Sequence, residues 1–217
     1  MRVTAIDIPT DHGRARAHLH LQAGAHACTP HGPRGALILG HGAGGGIDAP
    51  DLVAASDAAN ALGLFAVLVE QPYRVAGRRG TPRGPALDLA WTQVVAHLRT
   101  AVLGDMPIIV GGRSAGARVA CRTATATGAL AALCLAFPLK TPGRPDRPDR
   151  LPELHDAGVP VLVLQGERDP YGHPPVGPDR TVVAVPGDHS LRAGTAEVRA
   201  AVGPWLSAQF AVLTDAV

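Results

Sequence analysis

The 217-residue chain predicts an α/β architecture: a mostly parallel, twisted sheet with helices on both faces, an antiparallel N-terminal edge and no cap domain, in a single domain of residues 1–217. Three observations predict it. From residue 36 onward, short apolar runs alternate with segments of helical period, the pattern of parallel strands joined by helical crossovers. Two strand-like runs precede that pattern, around the turn Asp11-His12-Gly13. The connection is too short for a crossover, so the two pair antiparallel. A chain of this length lies within reach of one domain and buries a sizeable core. With aromatic content at 3%, that core is built from Ala, Val, Leu and Ile.

In order, Val3 to Ile8 and Ala15 to Leu21 read as the edge strands, and Ala36 to Leu39 as a short buried strand. Asp51 to Leu62 has helical spacing and stops at Gly63, a good terminator. Leu64 to Val69 is a second buried strand. Leu87 to Leu103 is helical and is followed by Gly104. Ile108 to Val110 is a strand, Ala115 to Ala126 a helix ending near Gly128, and Leu130 to Phe137 a strand. Leu151 to Asp156 makes a short helix, Val161 to Leu164 and Thr181 to Val185 make strands, and Ala196 to Phe210 is the closing helix. The stretch TPGRPDRPDRLP, residues 141–152, carries four prolines and alternating charges and reads as an exposed connector. Trp91 and Trp205 fall in helical patterns as core residues.

Formal charge is +2, which makes no electrostatic case for nucleic acid. Lys140 is the only lysine; with the Ala, Gly and Pro content this suggests a GC-rich bacterial genome. Cys28, Cys121 and Cys134 are odd in number and widely spaced, which argues against a disulfide framework or a zinc site. The N-terminal stretch lacks the apolar core of a signal peptide, and the longest apolar run, Ala129 to Leu139, is too short to cross a bilayer. A cytoplasmic protein without a membrane partner is expected. His18 and His20 share one side of a strand but have no third ligand nearby, so no metal is expected.

In this architecture ligands sit beyond the carboxyl ends of the strands. After the first parallel strand comes LILGHGAGGG, residues 37–46. Gly40, Gly42 and Gly45 satisfy G-x-G-x-x-G, a dinucleotide fingerprint, and Glu70 ends the next strand where an acid would meet the ribose. The same residues read as His-Gly-x-Gly, a loop that supplies half of an oxyanion hole. His41 crowds a phosphate approach, two strands precede the loop, and Gln71-Pro72 turns the chain directly after Glu70. These features favour the second reading, with no cofactor.

The remainder of the chain points the same way. After Ile108 to Val110 comes GGRSAGAR, in which Gly112, Ser114 and Gly116 form G-x-S-x-G between a strand and a helix. That turn strains the serine backbone and requires small neighbours. A serine hydroxyl needs a base to become a nucleophile, and the base needs an orienting carboxylate. Strand Val161 to Leu164 runs into QGERDPYG, and strand Thr181 to Val185 runs into PGDHSLR. Asp169 and His189 thus follow Ser114 in the order acid, then base. Glu167 is the rival acid; His155 and His173 are the rival bases.

The set GHGAGG, GGRSAGAR, QGERDPYG and GDHSL resembles the α/β-hydrolase superfamily over about residues 36 to 206. More narrowly it is similar to the small predicted hydrolases related to dienelactone hydrolase, a group whose relatives include a vertebrate testis-expressed protein and a subunit of a chromatin-acetylating complex. The resemblance implies Ser114 as nucleophile, Asp169 as acid and His189 as base. It places the oxyanion hole at the backbone N–H groups of Ala43 and Ala115.

Substrate contacts are expected from His41 and Arg113, and from Arg78 and Arg79 within the basic loop that also holds Arg74 and Arg83. Arg113 either braces the elbow or touches substrate. Only residues 138–160 are available where larger relatives insert a cap, so the site should be open and shallow. The expected activity is hydrolysis of a short-chain ester, thioester or related acyl bond on a small molecule. A catalytically silent interaction scaffold and a dinucleotide-binding protein remain the alternatives, and oligomeric state is left open.

Overall fold

The computed structural model describes residues 2–21, 33–78 and 80–212. Cys28 and Arg79 therefore lie outside the described residues. Among the described residues eight strands form one sheet. They are β1 (Arg2–Thr10), β2 (Gly13–Leu21), β3 (Ala36–Gly40), β4 (Phe65–Glu70), β5 (Ile108–Arg113), β6 (Ala132–Leu135), β7 (Val161–Gly166) and β8 (Arg180–Val185), in the order β1-β2-β4-β3-β5-β6-β7-β8. β1 pairs antiparallel with β2, and β2 antiparallel with β4; every pairing from β4 to β8 is parallel.

The helices are α1 (Pro50–Ala61), α2 (Pro72–Val75), α3 (Gly84–Leu98), α4 (Ala115–Thr123), α5 (Leu151–His155) and α6 (Thr195–Ala211). Because successive side chains on a strand point to opposite faces, the parallel strands feed two cores. Ile38, Val110, Ala132 and Val163 meet α3 and α4 on one face, with Trp91, Val94 and Ala120 as their partners. Leu37, Leu39, Ile109 and Leu133 meet α1 and α6 on the other, against Leu52, Val198 and Leu206. Trp91 is fully buried, whereas Trp205 packs on the rim of the second core. Cys121 and Cys134 are buried free thiols with sulfurs 3.3 Å apart.

Four differences from the expected elements have local causes. α2 is a single turn started by Pro72, too short for an apolar period to reveal. α3 begins at Gly84, three residues early, because Pro85 is pre-set for a first helical turn. It ends in a π-helical turn, Arg99–Leu103. β5 continues through Gly111 and Gly112 to Arg113, beyond its apolar run. A side chain on Gly111 would meet the carbonyl of Leu133 at 2.5 Å, so glycine keeps β5 and β6 within ladder distance.

Between β6 and β7 there is a proline-rich loop and α5, with no cap. Arg150 fastens that loop through hydrogen bonds to the carbonyls of Pro138 and Lys140 and the hydroxyl of Thr141. Among the described residues no helix is long and apolar enough to cross a membrane.

Leu133 is fully buried at the sheet centre. Leu133→Ala should lower unfolding free energy by about 2–5 kcal/mol, through lost burial and a residual cavity. In urea titration the midpoint should fall while the slope stays unchanged.

Candidate active site

Ser114 sits between β5 and α4 with φ 53° and ψ −107°, in the left-handed half of backbone space. Its N–H donates to the carbonyl of Leu135 at 2.9 Å, and its carbonyl accepts the N–H of Arg118 at 3.2 Å. The strained residue is thus held from both sides. Gly40 lies opposite Gly112 in the β3–β5 ladder. A side chain on either Gly112 or Gly116 would run into the carbonyl of Gly40. That contact is the physical reason for both glycines of G-x-S-x-G.

The chain ends after β7 and β8 bring two further side chains to this turn. The Oγ of Ser114 lies 2.9 Å from Nε2 of His189, and Nδ1 of His189 lies 2.8 Å from Oδ2 of Asp169. A carboxylate only accepts, so Nδ1 carries the proton and donates to Asp169. Nε2 is then the acceptor for the serine hydroxyl. The Asp169 side chain is fully buried, and the imidazole is about one-fifth exposed. Asp169 also accepts the Nε2–H of Gln165 at 2.7 Å and the N–H of Tyr171 at 2.9 Å. The Gln165 amide faces two further acceptors, the carbonyls of Phe137 and Gly172, which fixes which end of it is nitrogen. The Tyr171 ring lies against the His189 imidazole, centroids 4.2 Å apart and planes inclined by 32°.

Of the rival groups, Glu167 is exposed and its backbone continues the sheet edge to Val185. His155 is exposed on α5, and His173 donates to the carbonyl of Gly166. Neither takes part in the Ser114–His189–Asp169 chain.

The glycine loop packs on the elbow: a Cβ on Gly42 would stand 3.5 Å from that of Ser114. The Tyr73 hydroxyl donates to the carbonyl of Ala43 at 3.2 Å, and burial raises its pKa. Ala43 therefore lies in a tethered part of the loop. Ala115 is the first residue of α4, where the amide N–H has no intrahelical acceptor.

His41 is placed differently from its expected substrate contact. It is buried; its Nδ1–H donates to the carbonyl of Gly42 at 2.8 Å, and its Nε2 accepts the N–H of Gln71 at 3.1 Å. Burial lowers its pKa, in keeping with a neutral ring. Both nitrogens are committed within the protein, so His41 braces the loop and has no polar atom left for a ligand. Arg113 turns beneath the elbow. Its Nη2 donates to the carbonyl of His189 at 2.9 Å, and its Nε lies 3.1 Å from Oδ2 of buried Asp51. Arg78 is exposed on the wall of a cleft of about 320 Å³ formed by the β1–β2 turn, α2 and α3, and Ser114, Asp169 and His189 do not line that cleft. Arg79 lies outside the described residues.

Gln165, Tyr171, Tyr73 and Asp51 were not singled out from the sequence. Gln165 and Tyr171 stand inside the motif that holds Asp169, so their proximity was the available signal. Nothing local marks Asp51 or Tyr73, which arrive from other elements.

For a metal, no group of three or more His, Cys, Asp or Glu side chains is suitably placed among the described residues. His18 instead contacts Glu70, Nε2 to Oε2 at 2.8 Å. That contact occupies the acid which a dinucleotide ribose would need. Behind Ala115, a cavity of about 10 Å³ is lined by Gln71, Tyr73, Leu87, Trp91 and Val119.

The sequence profile of the alpha/beta hydrolase domain family matches residues 33–195. No protein of curated function matches the chain. Among solved structures, an alpha-beta serine hydrolase homologue from Coxiella burnetii superposes with TM-score 0.74 at 16% identity, covering 95% of this chain and 98% of that one. A serine hydrolase without a lid from Xanthomonas campestris gives TM-score 0.71 at 19% identity, covering 93% and 92%. Est1E from Butyrivibrio proteoclasticus gives TM-score 0.74 at 17% identity, covering 95% and 99%. At these identities the likeness concerns the fold.

The strain at Ser114 is measurable. Glycine adopts positive φ without steric cost, whereas alanine does not. Ser114→Gly should therefore be more stable than Ser114→Ala by about 1–2 kcal/mol. Paired urea titrations check it, and equal stabilities would show a relaxed turn.

Proposed function

The chain belongs to the alpha/beta hydrolase domain family, and from that premise we propose that it is a serine hydrolase that cleaves a short-chain ester, thioester or related acyl bond. The observation that carries this reading is the unbroken path from Ser114 Oγ through His189 to Asp169, with contacts of 2.9 and 2.8 Å.

In the proposed reaction His189 Nε2 takes the proton of Ser114 as its oxygen attacks the acyl carbon. Asp169 holds the imidazole in the required tautomer and faces the positive charge that develops on it. The negative charge on the substrate oxygen meets the amides of Ala43 and Ala115. One such donor is worth about 3 kcal/mol of transition-state stabilisation. His189 then returns the proton to the leaving group, leaving an acyl-serine. Water, deprotonated by the same imidazole, releases the acid.

Short acyl groups are favoured because no cap lies between β6 and β7 to cover an acyl chain.

A fluorophosphonate probe should label the protein at Ser114, and Ser114→Ala and His189→Ala should each prevent labelling. Asp169→Asn should lower kcat by about 10⁴-fold, because an amide N–H can donate to Nδ1 and hold the imidazole in the wrong tautomer. Labelling that survives in Ser114→Ala would remove this serine from the mechanism. Absence of labelling and of turnover on p-nitrophenyl esters of several lengths would leave the fold as a scaffold.

Chain length is a separate test. Each buried methylene is worth about 0.8 kcal/mol, so an enzyme with a deep acyl channel gains with every added carbon. Here kcat/KM should peak between acetyl and butyryl esters. A steady rise to dodecanoyl would overturn the short-chain reading.

A further inference from the structure

The guanidinium of Arg113 touches three separate pieces of chain. Nη2 donates to the carbonyl of His189 at 2.9 Å. Nη1 lies against the glycine loop, 2.9 Å from the position of a Cβ on Gly42. Nε stands 3.1 Å from Oδ2 of Asp51, in the first turn of α1. Arg113 also immediately precedes Ser114, so the elbow is the fourth piece.

As a stabilising contact the Arg113–Asp51 pair is poor. Asp51 is fully buried, and the Arg113 side chain is only 17% exposed. Such pairs give little net stability because desolvation offsets attraction. The geometry is also imperfect: the Nε–H is not directed at Oδ2, and neither atom has another hydrogen-bond partner. Asp51 keeps one firm bond, from the N–H of Leu52 at 3.0 Å. Burial pushes its carboxyl up to about 6, with the Arg113 charge opposing the rise. The folded state therefore binds this proton more readily than the unfolded chain, and the associated stability is lost as pH rises through about 6.

The arrangement has value as a positioning device. A planar fork fixes several directions at once, which a flexible ammonium does not. The anchored group is the backbone of the residue whose Nε2 must stay within hydrogen-bond reach of Ser114. We infer that Arg113 and Asp51 are a positioning pair: Arg113 holds the His189 backbone and the glycine loop against the elbow, and Asp51 orients the guanidinium and balances its charge. The kinetic part rests on the hydrolase proposed above; the geometric part does not. Nη2 of Arg113 then holds the His189 carbonyl, and Nε lies beside Asp51.

The charge balance has a sign. Arg113 from β5 and His189 from the loop after β8 are the charged or titratable side chains that act on Asp51. An unbalanced guanidinium beside His189 opposes formation of the imidazolium. Ionised Asp51 favours it.

The test uses Arg113→Lys and Asp51→Asn in the full chain, each first compared with the parent by circular dichroism and melting temperature. Two readouts follow: kcat and KM on p-nitrophenyl acetate, and the low-field NMR signal of the proton between His189 and Asp169. Arg113→Lys should lower kcat by about 10- to 100-fold, with KM within about threefold, and should broaden or shift the low-field signal. Asp51→Asn should move the acid limb of the kcat/KM profile to lower pH. An Arg113→Lys enzyme that keeps its kcat and an unaltered signal overturns the pair. So does a loss confined to KM, which would make Arg113 a substrate contact. Should the parent hydrolyse nothing, the hydrolase reading falls and the NMR signal alone decides: a change in Arg113→Lys supports the pair, an unchanged spectrum overturns it. If Arg113→Lys fails to fold, near-isosteric Asp51→Asn carries both readouts.

Discussion

The carbonyl of Gly40 is the contact on which the site depends. It occupies the space that side chains at Gly112 and Gly116 would need, so β3, β5 and the first turn of α4 meet through backbone alone. The approach has three consequences. It lets the chain reverse within one residue, which puts Ser114 at positive φ and its hydroxyl at the tip of the turn. It carries the loop after β3 onto the same tip, so that Gly42 packs against Ser114. It also leaves room for the Trp91 ring to close over Gly40, where a Cβ would stand 3.2 Å from the indole. Proposed nucleophile and proposed oxyanion loop are thus adjacent for a packing reason. Neither could be moved without the other.

Two buried carboxylates lie near that turn, and their surroundings differ. Asp169 accepts three hydrogen bonds, from His189, Gln165 and Tyr171, so the cost of burying its charge is offset by donors with fixed geometry. Asp51 has one such bond and a misaligned guanidinium, and its carboxyl is pushed up to about 6. Burying an under-satisfied charge costs stability wherever it occurs. The first arrangement suits a group that must hold an imidazole in one tautomer. The second is tolerable where rigidity between elements matters more than net stabilisation.

What was legible in the sequence follows from which constraints are local. Strand ends, their order and the glycine spacing are local, and they put Ser114, Asp169 and His189 after the carboxyl ends of strands of one sheet. Asp169 and Glu167 were separable only by direction. Two residues apart near a strand end, one carboxyl turns under the sheet edge and the other into solvent, and the turn at Pro170 and Gly172 is the sole local hint. His41 and Arg113 show the limit more sharply. Both stand inside recognisable motifs, and motif position suggested substrate contact. Their partners, the amide of Gln71 and the side chain of Asp51, come from other elements and lie at no fixed spacing from them. The single turn at Pro72 escaped because four residues are too few to show a period.

An uncapped site bears on how the remaining residues must work. A lid excludes water and presses reacting groups together when it closes. Here only a proline-rich loop fastened by Arg150 and the short helix α5 lie between β6 and β7. Geometry at the reacting atoms therefore has to be set beforehand, from beneath. The supports are spread over the strand ends: Gln165 under Asp169, Tyr171 against His189, Tyr73 on the carbonyl of Ala43, His41 between Gly42 and Gln71, and Arg113 across the loop and the base. Most are polar contacts to backbone, which fix position without adding apolar area. On the proposed reading, loss of one should leave the two apolar cores intact and misplace a reacting group, which acts on transition-state complementarity more than on folding. On the proposed hydrolase reading, then, the residues that determine rate extend beyond those that touch substrate, and they are to be sought among buried polar groups that add little to stability.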